Sequence, residues 1–459
     1  MTVNKKHPDA AVKNRLQQWI FVSGFFSCGS CLKRIDWCYP EIGRYRPYVP
    51  GLTSLSGIPV GTEETPKNVM DFFNSRSTYA STRRRLALCI IAIVLPVAAI
   101  AGGSNVASIK EPTQTSLHLY ITAEKWKEAC ELFQSDPFWL GGDGASSVDL
   151  GNGRLLWLFG DSFIDPSGSG DRKKAGLVRN SIGIQNGYDP ADAEMAFFWK
   201  TKKNAPADFF SSNAGDWFWP ASGILIQNRL LVFLMQIEKA DNAFGFNVKG
   251  WKAVLIDHTQ KHPEHWNFNR LAGPQKKGIV VGSGNPIMDN GFLHVFATDP
   301  ISRMVYLVRW PEHDAFTGNL LKPQWWTGET MGWVEPNRDD IVPYPLLENG
   351  RMEFSVQFVP AANRFLLIQT LDLENPCLAA LSAKKITGPW SKAECFYAPP
   401  ERNRREGLIY AGKSHPAIHG AEMAFSYVVN TTRRERLLND MTIYFPVILK
   451  GWTKAEGRP

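Results

Sequence analysis

The sequence predicts an all-β fold, a five-bladed β-propeller that follows an N-terminal leader and one transmembrane or signal segment. Three observations lead to this prediction. A pair of short strands around a tight turn recurs five times, at intervals of roughly 60 to 75 residues. Third and fourth strand-like segments follow most pairs, as in a four-stranded blade. Fourteen of the sixteen tryptophans lie in this part of the chain, which we place at residues 115–459.

Residues 86–103 contain the one strongly apolar segment. Its run from Leu86 to Ala101 carries no charge and, at about sixteen residues, lies at the lower limit for a membrane span. Arg83 to Arg85 precede the run, whereas the first basic residue behind it is Lys110. Because positive charge favours the cytoplasmic side, the chain after this segment is expected outside the cytoplasm.

Two interpretations of the segment stay open. It is either an uncleaved signal anchor with residues 1–85 in the cytoplasm, or the chain starts at Met70 and residues 70–101 form a cleavable signal peptide. No fold is assigned to the first 85 residues, and residues 104–114 are predicted to be a linker. Both interpretations place the propeller in the periplasm, on the cell surface or in the medium. Residues 86–103 would contact the membrane if they are not cleaved.

Charge and motifs limit the partners. The formal net charge is +7, and Lys and Arg are scattered rather than arranged in the basic stripe of a nucleic-acid-binding domain. The pair Cys28 and Cys31 has CxxC spacing, but no second pair follows at zinc-site distance. GxSxG, HExxH, P-loop and dinucleotide-binding motifs are missing from the sequence. We therefore predict no nucleic-acid partner, no metal and no cofactor; the sequence does not indicate an oligomeric state.

The repeated hairpins define the predicted blades. Their turns contain Asn-Gly, Asp-Asn-Gly or similar sequences, which tolerate the positive φ angles of tight hairpins. The fifth unit lacks a fourth strand near the C-terminus, and residues 117–122 are predicted to supply it. Cys377 and Cys395 fall on predicted neighbouring strands, where an oxidising compartment would allow a disulfide. The hairpins span residues 144–161, 220–237, 283–299, 353–372 and 413–430.

The innermost strands of a propeller begin near its central channel, so their first residues are expected to converge at one mouth. Here these residues are carboxylates, tryptophans, a lysine and a histidine. Two acids supply proton transfer and either water activation or nucleophilic attack in glycoside cleavage, and aromatic faces pack against sugar C–H groups. The residues are Asp143, Trp217, Trp219, Glu353, Lys413 and His415.

The first hairpin brings two acids together. With its turn at residues 151–153, facing residues have numbers that sum to about 304, which places Asp143 opposite or diagonal to Asp161. Two carboxylates that face each other in this way repel, which pushes their pKa values apart, so that one carboxyl can act as acid and the other as base. The structural alternative is that both aspartates cap turns at the edge of a blade.

Four sequence blocks resemble one family of exported bacterial proteins. They are FWLGGDGASSVDLGNGRLLWLFGDSFID (138–165), LVRNSIGIQ (177–185), WFWP (217–220) and YAGKSHPAI (410–418). Over about residues 130–450 the chain is similar to domain of unknown function 4185, which includes the endo-D-arabinanases of glycoside hydrolase family 183. The resemblance implies a five-bladed propeller that acts on furanosidic arabinan. It also implies two catalytic aspartates, which match Asp143 in GGDG and Asp161 in FGDS.

Four further residues are predicted to bind substrate. Arg179 and Asn180 open a third strand beside Asp161, where they are candidates for binding sugar hydroxyls. Trp217 and Trp219 are candidates for stacking on sugar rings. The alternative for both tryptophans is that they fill gaps between blades, as most tryptophans of such a propeller do.

The remaining residues at the predicted mouth each have more than one possible role. Glu353 is a candidate for contacting substrate and an alternative catalytic acid, or else a paired charge on the rim. Lys413 is a candidate for contacting substrate, or else it only lowers the pKa of a neighbouring aspartate. His415 is expected to orient a carboxylate or to bond a sugar hydroxyl, unless it is a structural histidine with both nitrogens satisfied.

These observations predict an exported glycoside hydrolase that acts on a furanose-rich polysaccharide such as D-arabinan. Asp143 and Asp161 are its predicted acid/base pair, with inversion and retention both open. The alternative is a non-catalytic cell-surface propeller that binds a glycan or a protein partner. A third hypothesis is a lyase or another hydrolase built on the same ring. Aspartates in an open cleft favour catalysis, whereas aspartates held by backbone amides or arginines favour binding.

Overall fold

The computed structural model describes residues 119–212, 215–242, 245–276, 278–335, 341–371, 375–404 and 406–455. The predicted leader (1–85), the apolar segment (86–103) and the linker (104–114) lie outside these ranges. Within the described ranges, no helix is both long enough and apolar enough to cross a membrane.

The described residues form mainly antiparallel strands, which confirms the all-β prediction. Five sheets, named I to V, follow one another along these ranges. Sheet I contains Ser146–Gly151, Arg154–Phe159, Ser181–Asn186 and Glu194–Phe198. Sheet II contains Trp217–Ile226, Arg229–Lys239, Phe246–Asp257 and Asn267–Leu271. Sheet III contains Val280–Val281, Ile287–Asp289, Phe292–Thr298, Val305–Pro311, Gln324–Trp326 and Trp333–Val334. Sheet IV contains Phe354–Val359, Arg364–Leu371, Cys377–Ala383 and Glu394–Tyr397. Sheet V contains Gly407–Ser414, Met423–Thr431, Pro446–Ala455 and Leu119–Lys125.

Short strands and helices lie outside sheets I to V. Three short strands form a further sheet beside sheet I, and a two-stranded hairpin follows it. The short strands are Trp139–Gly142, Ser162–Ile164 and Gly176–Val178, and the hairpin strands are Lys200–Lys202 and Ala205–Ala207. The α-helices of the described ranges are Lys127–Leu132, Glu312–Thr317 and Arg434–Asn439, and the 3₁₀ helices are Pro263–His265, Pro360–Ala362 and Pro400–Asn403.

The five predicted hairpins are present, but the first strand of the fifth is Gly407–Ser414, which ends just after the predicted start at residue 413. Short turns fix the pairing of the other four locally. In sheet I, Ser146 pairs with Leu158 and Asp149 with Leu155, the register expected from the turn. The N-terminal strand Leu119–Lys125 pairs with Pro446–Ala455, so the predicted closing strand is confirmed with later bounds. Cys377 and Cys395 form the predicted disulfide between neighbouring strands of sheet IV.

Two predicted strands differ from the structure. The segment 177–185 divides between two sheets, because the Arg179 amide bonds the Asp208 side chain and leaves the ladder. The segment 440–449 becomes a strand only from residue 446. Tyr444 adopts a left-handed φ of 70° there, and its amide bonds the carbonyl of Val429.

Apolar layers lie between successive sheets. Leu158 and Val232 belong to the layer of sheets I and II, and the next two junctions are built in the same way. Sheet V shares one core with sheets IV and I, which includes Ile368 and Trp157. A cavity of about 380 Å³ is lined by the first segments of all five sheets. Its polar lining includes Ser146, Ser222, Asn285, Ser355 and Ser414.

Arg172 joins two distant segments beneath sheet I. Its guanidinium is buried and donates to the carbonyl oxygens of Leu140 at 2.7 Å and Leu437 at 3.0 Å. It also donates to the carbonyls of Asp440 at 3.0 Å and Ile443 at 2.6 Å. The last carbonyls of a helix lack partners within the helix, so the arginine satisfies the end of Arg434–Asn439. Burial lowers the pKa of Arg172 to about 10, which still leaves it charged at neutral pH.

Replacement of Arg172 by Met is expected to lower the free energy of unfolding by about 3 kcal/mol or more. The reason is that several buried carbonyls lose their donor while the apolar volume is kept. Urea denaturation measures the effect, with Lys173→Met as the control because Lys173 is the exposed neighbour. Equal stability of both variants would contradict this role.

Candidate active site

Asp143 lies just before the first strand of sheet I, at the open end of the first hairpin. Gly144 and Ala145 have left-handed φ angles of 86° and 50°, so the chain turns sharply before the ladder begins at Ser146. The Gly160 amide donates to the Asp143 carbonyl at 2.8 Å, which keeps Asp143 beside the start of the FGDS block. The two motifs therefore meet, as their spacing predicted.

Gly160 leaves the space that the Asp143 side chain fills. A Cβ atom on Gly160 would collide with Asp143 Oδ1. A residue with a side chain would therefore displace the carboxyl, which explains why glycine precedes Asp161 here.

Asp143 keeps part of its surface accessible, and a neutral phenol is the direct partner of its carboxyl. The Tyr410 hydroxyl donates to Asp143 Oδ2 at 3.0 Å, and the Asn430 amide donates to the same hydroxyl at 3.0 Å. Burial, with the negative charges of Glu353 and Asp161, raises the pKa of Asp143 well above its ordinary value. The Tyr410 hydrogen bond and the more distant Lys413 oppose this shift only in part. Asp143 is therefore the carboxyl best suited to carry a proton.

A β-bulge in sheet V directs two side chains to this site. Tyr410 pairs with Val428 and Lys413 with Ser426. The two residues between Tyr410 and Lys413 therefore lie opposite the single residue between Val428 and Ser426. Such a bulge changes the alternation of side chains, so that Tyr410 and Lys413 both reach the turn formed by Asp143 and Gly144. The Lys413 ammonium donates to the Gly144 carbonyl and to Glu353 Oε1, the latter at 3.1 Å.

Asp161 is almost fully buried and held by two donors. Arg179 Nη1 bonds Oδ2 at 2.7 Å, and the Trp219 indole donates to Oδ1 at 2.7 Å. The Tyr444 hydroxyl donates to the Asp161 carbonyl at 2.9 Å and fixes the backbone. Burial raises the pKa of Asp161, while Arg179 and Trp219 oppose the rise. The Arg179 guanidinium stacks at 4.2 Å from the centre of the Trp217 ring.

Glu353 completes a group of three carboxyls. It lies directly before the first strand of sheet IV, and its side chain is 16% exposed. Its Oε1 would lie 3.6 Å from a Cβ atom built on Gly144, so it is next to the Asp143 turn. The structure thus brings together Asp143, Asp161 and Glu353, two of them paired with cations and the third with a phenol.

The other predicted residues divide between the site and the packing around it. Trp219 and Arg179 keep part of their surface accessible, whereas Trp217 is buried beneath Arg179. Asn180 is fully buried, and its amide bonds the backbone of Phe210 and Phe218.

His415 is buried, with one ring nitrogen 2.8 Å from the Ser147 hydroxyl and the other 2.7 Å from the Ser426 hydroxyl. Burial lowers its pKa to about 3, so it stays neutral. Its predicted contact with substrate stays a prediction.

Sequence reasoning did not identify Tyr410 or Asn430 as site residues. Tyr410 begins the YAGKS block on the same strand as Lys413, which was the available signal. Simple alternation would turn Tyr410 and Lys413 to opposite faces, and only the bulge brings them together. Among the described residues, no group of three or more His, Cys, Asp or Glu side chains is arranged to hold a metal ion.

A family model described as "Domain of unknown function (DUF5005)" matches residues 127–445. None of the curated proteins matches the sequence. The crystal structure of "a putative hydrolase from Bacteroides ovatus ATCC 8483" has 14% identity and a TM-score of 0.60. The match covers 74% of this chain and 93% of that one, which shows a shared fold.

Two further solved structures are less similar. The catalytic domain of the Coprinopsis cinerea GH62 α-L-arabinofuranosidase has 10% identity and a TM-score of 0.39, over 70% of this chain and 93% of that one. The xylan β-1,4-xylosidase from Bacillus halodurans C-125 has 10% identity and a TM-score of 0.40, over 70% of this chain and 55% of that one. The matching family model differs from the family that the sequence motifs resemble, so that finer assignment stays a prediction.

Replacement of Asp143 by Asn is expected to make the protein relatively more stable as pH rises. A raised folded-state pKa means that the wild type loses stability from the ordinary carboxyl pKa of about 3.9 up to the raised value. The variant lacks this loss, so the difference in melting temperature between variant and wild type should grow over that interval and then level off. Thermal denaturation between about pH 3 and pH 9 measures it.

Asp165→Asn is the matched control with the opposite sign. Hydrogen bonds from Ser167 and Ser169 lower the pKa of Asp165 to about 2, so its carboxylate contributes stability that is lost as pH falls. A melting-temperature difference for Asp143→Asn that is independent of pH would contradict the raised pKa.

Proposed function

The chain belongs to the DUF5005 family, and we propose that it is a glycoside hydrolase whose chemistry takes place at Asp143, Asp161 and Glu353. The matched region, residues 127–445, contains all three carboxyls. In this proposal sheets I to V are the five blades of a propeller, and the carboxyls lie at one mouth of its channel. The fold shared with the Bacteroides ovatus protein, described as a hydrolase, agrees with this class of activity.

The unequal partners of the carboxyls carry the proposal. Glu353 is paired with Lys413 and Asp161 with Arg179, whereas Asp143 is bonded by a neutral phenol. A carboxyl that keeps its proton beside ionised carboxylates is the arrangement that glycosidases need, because one group must donate a proton while another acts as base or nucleophile.

Each carboxyl has a distinct role in the proposed reaction. Asp143 donates its proton to the glycosidic oxygen as the bond to the anomeric carbon breaks. Glu353 either removes a proton from the attacking water or attacks the anomeric carbon itself, followed by hydrolysis of the glycosyl-enzyme. Asp161 is a fixed negative charge that raises the pKa of Asp143 and stabilises positive charge developing on the sugar ring. Asp161 thus keeps a part in catalysis, and Glu353 takes the role of second reacting carboxyl.

The substrate and the location are the finer parts of the proposal. The GGDG, FGDS and YAGKS blocks resemble endo-D-arabinanases, so the proposed substrate is a furanose-rich polysaccharide such as D-arabinan. The partly exposed Trp219 and Arg179 are proposed to contact its sugar units. An exported protein is consistent with the Cys377–Cys395 disulfide, since disulfides persist mainly in oxidising compartments.

One observation favours a second candidate function. The Arg179–Asp161 ion pair occupies one carboxylate, as expected for a non-catalytic propeller that binds a glycan. Such a protein would bind saccharide at the same mouth without cleaving it, so a cleavage assay separates the two functions.

The cleavage assay uses the full chain with a panel that contains D-arabinan, L-arabinan and xylan. The wild type is expected to release reducing ends from the furanose-rich members. Asp143→Asn and Glu353→Gln are expected to reduce the rate by a factor on the order of 10² to 10⁴ each, the usual effect of losing a general acid or base. Because Asp143 must be protonated, the wild-type rate should fall as pH rises through its raised pKa.

Asp192→Asn, which removes an exposed carboxylate, is the control and should cleave like the wild type. A folded Asp143→Asn, Glu353→Gln double variant that cleaves at the wild-type rate would refute the assignment. Saccharide binding without cleavage by the wild type would favour the second candidate function.

A further inference from the structure

A cleft of about 550 Å³ lies between sheets III and IV. Its lining combines apolar residues with polar and charged ones, among them Arg303 from a loop of sheet III and Gln369 from a strand of sheet IV. Gln369 pairs with Phe354, the residue after Glu353, so the cleft lies one strand away from the carboxyl group.

Gln369 interrupts an apolar face of sheet IV. Phe365 and Leu367, at alternate positions on the same strand, pack into the core shared with sheet III. Gln369 is the next residue on that face and is only 2% exposed, yet its Oε1 atom has no hydrogen-bond partner. A buried acceptor without a donor is destabilising, so such atoms are uncommon in native proteins. Because Gln369 also lines the cleft, this oxygen can accept a hydrogen bond from a ligand bound there.

Arg303 supplies an unpartnered donor to the same cleft. Its Nε atom is buried and lacks a hydrogen-bond partner. The residue has a left-handed φ of 62°, a costly conformation for a residue with a long side chain. Backbone bonds hold it there: its amide donates to Asp299 at 2.8 Å, and its carbonyl accepts from Gly350 at 2.9 Å. These bonds fix the backbone of the loop where the Arg303 side chain lines the cleft.

An acceptor and a donor, both unsatisfied in one cleft, match a hydroxyl group, which donates and accepts at once. Leu347, Leu371 and Leu381 line the same cleft and offer apolar surface to C–H groups. A saccharide combines these two features. The charged lining consists of Arg303, Arg351 and Lys392 together with Glu348. Cationic side chains donate hydrogen bonds to hydroxyl oxygens and a carboxylate accepts them from hydroxyls, so these groups also suit a sugar.

We infer that the cleft between sheets III and IV is a second saccharide-binding site. A sugar hydroxyl donates to Gln369 Oε1 and accepts from Arg303 Nε, while the ring lies against the leucines. The identity of the sugar rests on the proposed function: the cleft binds a remote unit of the polysaccharide that is cleaved at the carboxyl group.

Binding is tested apart from catalysis, in the full chain carrying Asp143→Asn and Glu353→Gln. The probe is a D-arabinofuranosyl oligosaccharide of about six units, studied by calorimetry and saturation-transfer NMR. Gln369→Leu is expected to weaken binding roughly threefold to tenfold, the loss of one hydrogen bond. Its melting temperature should stay equal or rise, because the unsatisfied oxygen is removed. Arg303→Asn, which tolerates the left-handed φ, should weaken binding similarly.

Gln357→Leu is the matched control. Gln357 lies on the neighbouring strand of sheet IV and also has an unpartnered buried Oε1, but it does not line the cleft. This variant should bind the oligosaccharide like its parent. Equal binding by the Gln369→Leu variant and its parent would overturn the inference, as would the absence of any binding.

The failure of this inference is distinguishable from the failure of the proposed function. If the wild type does not cleave arabinan but Gln369→Leu still weakens oligosaccharide binding, the second site stands without the hydrolase. If the wild type cleaves, and Gln369→Leu changes neither oligosaccharide binding nor the KM for the polymer, the hydrolase stands and the second site is refuted.

Discussion

The hydrogen bond from the Tyr410 hydroxyl to the Asp143 carboxyl connects the last sheet of the chain to the first. Close to it, Lys413 bonds the Gly144 carbonyl and pairs with Glu353. One strand, Gly407–Ser414, therefore sets the surroundings of two carboxyls. Tyr410 gives a neutral partner to one and Lys413 a positive partner to the other, while burial raises the pKa of Asp143. The proposed chemistry depends on these unequal partners and on the raised pKa of Asp143.

Local pattern explains why much of the fold was predictable. A tight turn fixes the register of each hairpin, so the sequence was sufficient to bring the GGDG and FGDS motifs together. The bulge between Tyr410 and Lys413 was not predictable, because it depends on Gly412 fitting closely against Thr370 of another sheet. Arg172 was missed for a similar reason: its carbonyl partners come from segments more than 250 residues apart, at Leu140 and Leu437. Contacts of that range leave no periodic signal in the sequence.

Several polar groups of this protein are kept at a cost to stability. Asp143 is placed where burial opposes its ionisation, and Gln369 and Arg303 hold buried atoms without partners. Native proteins rarely keep such groups unless binding or catalysis compensates for them. Asp161 follows the second strand of sheet I, and Gln369 lies near the end of the second strand of sheet IV, where it pairs with the residue after Glu353. This grouping favours a single extended binding surface over isolated defects in packing.

The proposed chemistry requires Asp143 to have a strongly raised pKa. Carbon-13 NMR of the full chain, labelled at aspartate side chains and titrated with pH, tests it most directly, with Asp143→Asn identifying the resonance. We predict a titration midpoint for Asp143 well above the ordinary value of about 3.9. A midpoint at or below that value would contradict the account, since Asp143 could then not retain a proton for transfer to the sugar.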